Sequence, residues 1–161
     1  LKKLDVERKN ILIRIFTVLA SNVGKSEPIK NKDLKRVLSE LQNILSFKAF
    51  HLDGVSAVTV RDGQDSSHLL LSSNYNLEFS LRHIVIKKIQ PGERSIGFEF
   101  KLIKKVYMDS MVDGKLTTGS KSTTLLASET SVKENGYLVA GVSRIGKNGD
   151  SLVLVINAVI K

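Results

Sequence analysis

Cysteine and tryptophan are missing from the chain, and its 161 residues include only two prolines. Without thiols there can be no disulfide framework, thiolate zinc site, iron–sulfur cluster or cysteine nucleophile, which removes much of metal and redox chemistry. The lack of cysteine is also compatible with an oxidising compartment. Eleven glycines and two prolines are too few for a low-complexity or collagen-like chain. The longest apolar-rich stretch, Leu152–Ile160, falls far short of the roughly 20 residues that a membrane-spanning helix needs. The start, Leu1-Lys2-Lys3-Leu4-Asp5, has neither an initiator Met nor the apolar stretch of a signal peptide, so a mature product or an excised piece is expected.

The residues that are present describe a folding chain, because 42% hydrophobic and 25% charged content lies outside the disordered class. One domain over residues 1–161 is expected, burying about 68–70% of the surface its unfolded form exposes. Residues 1–10 are expected to be a flexible or helical lead-in. No repeat of fixed period, charge block or linker divides the rest. The formal net charge is +9, and residues 1–50 carry 11 of the 25 basic residues against 5 of the 16 acids. A solvated helix face produces such a bias, and so does an acidic partner.

Ile11 to Ala20 is rich in β-branched residues and holds a single charge, Arg14, which predicts a central strand covered on both sides. Gly24 and Pro28 then mark a loop. From Asn31 the period becomes helical: Leu34, Val37, Leu38, Leu41, Ile44 and Leu45 form one stripe, with Lys35, Arg36, Ser39, Glu40, Gln42 and Asn43 opposite. The helix is predicted over about 32–45, with Asn31 as N-cap and Asp33 in the first turn. After Phe47 the chain reads as β, with strands near 57–61, 67–72, 76–89, 94–108, 121–133, 137–145 and 151–160. The dipeptides Asp53-Gly54, Asp62-Gly63, Asp113-Gly114, Asn135-Gly136 and Asn148-Gly149 predict hairpin turns, and Pro91-Gly92 a further turn. Leu152 to Ile160 is apolar on both faces except at Asn157, so it is predicted central, beside 137–142.

Motifs for chemistry are incomplete. His51, His68 and His83 lack metal-ligand spacing. His68 cannot pair with Ser67, because neighbouring strand residues point to opposite faces. Gly24-Lys25-Ser26 has Leu19 where a phosphate-binding loop needs its first glycine. Gly141-Val142-Ser143 has Ile145 where a nucleophile elbow needs its second. Glu78 and Glu99 would form a carboxylate pair only by facing each other across neighbouring strands, and both alternate with phenylalanines as solvent-facing strand residues do. Asp109 and Asp113, placed at a long turn, lack calcium-loop spacing. No catalytic residue, metal ligand or cofactor is assigned.

Lys121-Ser122-Thr123-Thr124-Leu125-Leu126, then Val132 to Val142 around Asn135-Gly136, then Ser151 to Ile160, together resemble the C-terminal β-meander of secretin-type outer-membrane proteins. In that family a Thr-rich strand leads through a Gly turn to a strand with a doubled glycine and then to a final apolar strand. Here the doubled glycine is Ala140-Gly141, and a short turn at 145–150 replaces the long membrane-lip insertion, so no pore is inferred. The resemblance implies a secretin-like sheet in an accessory part of an envelope or pilus-type assembly.

The expectation is therefore an α+β fold, predominantly an antiparallel sheet or sandwich, with one amphipathic helix on a face. Its expected role is a non-catalytic structural or interaction module in the cell envelope or periplasm. It would bind a protein partner, or itself, through sheet edges or through Lys30, Lys32, Lys35 and Arg36. The alternative is a cytoplasmic nucleic-acid-binding domain in which the same basic residues contact phosphates and Tyr75, Tyr107 and Tyr137 stack on bases.

Overall fold

A computed structural model describes residues 7–145 and 149–161. Its elements are β1 (Asn10–Ser21), α1 (Lys32–Ile44), β2 (Ala49–Arg61), β3 (Ser66–Leu70), β4 (Leu77–Gln90), β5 (Glu93–Val112), β6 (Lys115–Lys133), β7 (Tyr137–Arg144) and β8 (Ser151–Ile160). They form two antiparallel four-stranded sheets, ordered β2-β1-β8-β7 and β3-β4-β5-β6. The architecture is α+β, mostly antiparallel strand with a short helix. Of the expected lead-in, residues 1–6 lie outside the described residues, and Asn10 already belongs to β1.

The two sheets share a core. Ile11, Ile13 and Ile15 of β1 and Leu152, Leu154 and Ile156 of β8 meet Phe79, Leu81, Phe98, Phe100 and Leu102 of β4 and β5, all buried. The opposite face of β1 and β8, with Phe16, Val18, Val153 and Val155, is covered by Leu34, Leu38 and Leu41 of α1. Burial on both sides explains the unbroken apolar runs of β1 and β8. Ten residues of β8 thus sit between β1 and β7, as the sequence predicts. Asn31 caps α1, its Oδ1 accepting from the amides of Asp33 at 3.0 Å and Leu34 at 3.1 Å. Ile44 departs from the predicted stripe, being 78% exposed: at about 100° per residue it lies at the stripe's margin, while the next residue, Leu45, still packs on the cluster.

Three expectations are corrected. Asp53-Gly54 is a bulge inside β2 and not a turn: Thr17 pairs with Gly54 and Val18 with Leu52, leaving Asp53 as the extra residue. The bulge re-aims the Asp53 carboxylate, which accepts from Thr17 Oγ1, Ser73 Oγ and both the amide and Nδ2 of Asn74. This ties β2 to the segment that leads into β4. Asp62-Gly63 and Asn135-Gly136 do reverse the chain, but each carries it from one sheet to the other, so neither closes a hairpin. Asp113-Gly114 does close one, and of Asn148-Gly149 residue 148 lies outside the described residues. Finally, β5 and β6 continue through residues 109–120, where a long turn was expected.

Candidate functional site

The longest pairing in the molecule joins β5 to β6, from Ser95 opposite Lys133 to Val112 opposite Lys115. The neighbouring β4 starts at Leu77, opposite Lys104. Beyond that point β5 and β6 project as a two-stranded ribbon, and every residue from Val106 to Thr124 is exposed. The tip is a tight two-residue turn in which Asp113 (φ 51°) and Gly114 (φ 73°) both adopt the left-handed conformation that this kind of hairpin requires. Cross-strand bonds hold the register: Thr118 Oγ1 donates to Asp109 Oδ1 at 3.0 Å, and Thr117 Oγ1 to the Ser110 carbonyl at 3.0 Å.

Alternation assigns the ribbon's side chains to two faces. One face carries Val106, Met108 and Val112 opposite Lys121, Gly119 and Lys115; the other carries Tyr107 and Met111 opposite Ser120 and Leu116. These six apolar side chains are 41 to 69% exposed. Among the described residues, no strand pairs with the outer edge of β6, or with β5 beyond Lys105 on its β4 side. The ribbon therefore shows two rows of free backbone donors and acceptors as well as two partly apolar faces. An isolated two-stranded ribbon in water is marginal at best.

Its base is anchored. The Lys105 amide donates to the Asn76 carbonyl at 3.0 Å. Lys105 Nζ also forms an ion pair with Glu78 Oε1, on a side chain only 11% exposed. The hydrogen bond to Glu78, with that carboxylate's charge, outweighs desolvation and holds the Lys105 ammonium above its ordinary value of 10.5. His68 Nε2 of β3 stands 3.4 Å from Glu78 Oε2, and Lys104 Nζ lies 5.8 Å from the centre of the Tyr75 ring.

The basic residues singled out in the sequence lie elsewhere. Lys32, Lys35 and Arg36 are exposed on α1 and Lys30 on the preceding loop, with Arg36 3.8 Å from Asp33. Tyr137 packs on Phe16 and its hydroxyl accepts from Asn31 Nδ2, and Tyr75 is half-buried, which leaves Tyr107 as the exposed tyrosine, on the other sheet from α1. Glu78 and Glu99 do not face each other, since Glu78 pairs with Ile103 and Glu99 with Arg82. Each histidine does have a carboxylate beside it, His51 near Glu27, His68 near Glu78 and His83 near Glu99, at 3.4 to 4.0 Å. No sequence spacing announces those neighbours. The ribbon did have a signal in Asp113-Gly114 between Met111-Val112 and Lys115-Leu116. No cluster of three or more potential metal ligands occurs among the described residues. Among them no helix is long and apolar enough to cross a membrane, which leaves open what strands could do.

No protein-family model matches the chain, and no curated protein does. Several solved structures are similar to it. Over 98% of this chain it matches the type II secretion system secretin GspD of E. coli K12, at 10% identity and a TM-score of 0.46, spanning 51% of that chain. Over the same share it matches the InvG secretin domain β-barrel of the Salmonella SPI-1 injectisome, at 8% identity and a TM-score of 0.42, spanning 64% of that chain. Both are secretins, the family that residues 121–160 resemble.

Proposed function

We propose that the chain is one domain acting as a non-catalytic structural module of a bacterial envelope assembly, of pilus or secretion type, and that it associates with further copies of itself through the β5–β6 ribbon. The observation that carries this reading is the ribbon's two unpaired edges. A long exposed edge is a template for pairing with another chain, and native proteins ordinarily blunt or cover it. Here the β6 edge of one copy can pair with the β5 edge of the next, leaving two open edges again, so the contact propagates head to tail until it closes. Pairing would satisfy the free backbone groups and give the apolar side chains along each edge a cross-strand neighbour on their own face. The resemblance of residues 121–160 to a secretin meander accords with this role.

Sedimentation of the wild-type chain against one in which an Asn-Gly turn replaces Val106–Lys121, joining Lys105 to its partner Ser122, tests the reading. Concentration-dependent association of the wild type and monomers of the shortened chain, with equal thermal melting, are expected. Equal association of both would overturn it. Recovery of the native protein from the periplasm or membrane fraction is expected, and strictly cytosolic recovery would refute the envelope assignment. Lys30, Lys32, Lys35 and Arg36 are proposed as a secondary, electrostatic contact with an acidic protein surface. Reversing Lys32, Lys35 and Arg36 to Glu is expected to slow partner capture without lowering thermal stability, and unchanged capture kinetics would make that face plain solvated surface.

A further inference from the structure

The chain has two methionines, Met108 and Met111, and both lie on the ribbon. They are 53% and 69% exposed, whereas neither buried cluster contains sulfur. Their separation of three residues puts them on opposite faces: Met108 between Val106 and Val112, and Met111 directly across from Leu116. Each apolar face of the ribbon thus contains one oxidisable side chain more than half exposed, and neither buried cluster includes one.

We propose that Met108 and Met111 are oxidation sites at which a peroxide blocks assembly of this chain; the consequence for assembly rests on the self-association reading above. In the reaction the thioether sulfur donates a lone pair to one peroxide oxygen and the O–O bond breaks. A sulfur–oxygen bond forms, the sulfur loses two electrons, and the peroxide is reduced and departs with its protons as water. The product sulfoxide is polar and chiral where the thioether was apolar and pliant. Both residues stand on β5, whose free edge pairs with the next copy, so each sulfoxide would lie beside a new cross-strand neighbour and replace an apolar contact with a hydrated polar group. Oxidation acts fastest on the unassembled chain, because pairing places a strand beside both sulfurs and reduces their exposure. A thiol-dependent sulfoxide reductase, supplying two electrons per residue, restores the apolar faces.

The test treats the full chain with hydrogen peroxide, follows oxygen uptake at each methionine by peptide mass spectrometry, and measures association and melting before and after. A Met108→Leu/Met111→Leu variant, close in volume and inert to peroxide, runs alongside. Expected are oxidation of both residues in the dilute chain, association weakened by about twofold to thirtyfold, unchanged melting, and a leucine variant that associates equally before and after treatment. Protection of either methionine in the dilute monomer overturns the proposal, as does full association by the doubly oxidised chain or an equal loss in the leucine variant. An untreated chain that never associates refutes the self-association reading and the inference with it; one that associates with both sulfoxides in place refutes the inference alone.

Discussion

Replacing Gly54 by alanine is the sharpest probe of how the two sheets are joined. A Cβ added there would stand 1.5 Å from the Ser72 carbonyl oxygen and 2.6 Å from its carbon, both backbone atoms. Real Cβ atoms essentially never approach closer than 3.0 Å, so the Ser72 segment must move away from β2. That movement stretches the 2.7 Å bond from the Ser72 amide to Ser56 Oγ and the bonds from Ser73 and Asn74 to the Asp53 carboxylate. Overpacking costs about 1–3 kcal/mol. Each hydrogen bond to a charged group contributes about 1.5–3 kcal/mol. Losing one of them as well gives a total of about 2.5–6 kcal/mol, a large part of the roughly 5–15 kcal/mol that holds a domain together. For a chain of this size, at about 2–4 °C per kcal/mol, that corresponds to a fall in Tm of roughly 5–24 °C. Urea unfolding of Gly54→Ala beside Gly119→Ala measures it, since a Cβ at Gly119 meets nothing nearer than 3.9 Å. Gly119→Ala is expected within about 0.5 kcal/mol of wild type. A Gly54→Ala protein equally close to wild type would refute the account of the corner.

Other consequences are as direct. Ending the chain at Asp150 removes eight consecutive buried residues, Ser151–Ala158, from the centre of a sheet. At about 1.5–3 kcal/mol for each of Leu152, Val153, Leu154, Val155 and Ile156 the loss is about 7.5–15 kcal/mol, as large as the whole stability of a domain, so the cooperative far-UV CD melt is expected to vanish, and a surviving melt would contradict the central placement of β8. Because the folded pKa of Lys105 lies above 10.5, its pairing with Glu78 stabilises the ribbon base fully below that pH and is lost as pH rises through the folded value. Glu78→Gln is expected to return the Lys105 titration, followed by NMR of its Nζ, toward 10.5, and an unmoved titration would deny the pair. Across the same pH range the stability difference between wild type and Glu78→Gln should shrink.

Much of the fold was legible in order along the chain. The helical period from Leu34 to Leu41, the Asn31 cap and the doubly apolar β1 and β8 follow from side-chain spacing and local hydrogen bonding, which operate within a few residues. Asp53-Gly54 misled because glycine serves two physical purposes. It tolerates the tight turn, and it also permits the close approach of another backbone, and only the position of Ser72 decides between them. The His–carboxylate neighbours and the buried Glu78 stayed hidden for a similar reason, since each joins residues on separate elements.

The amino-acid sequence by itself determined the α+β class, the helix, the two central strands and several of the places where the chain reverses, because propensity, periodicity and turn chemistry are local. Tertiary structure alone decided which reversals close a hairpin and which cross between sheets, since that depends on where the shared core forms. It also joined β1 to β8 across nearly the whole chain. And it left the β5–β6 ribbon without neighbours: β4 begins only opposite Lys104, so the exposed edges and their two methionines arise from the unequal lengths of strands that meet only on folding.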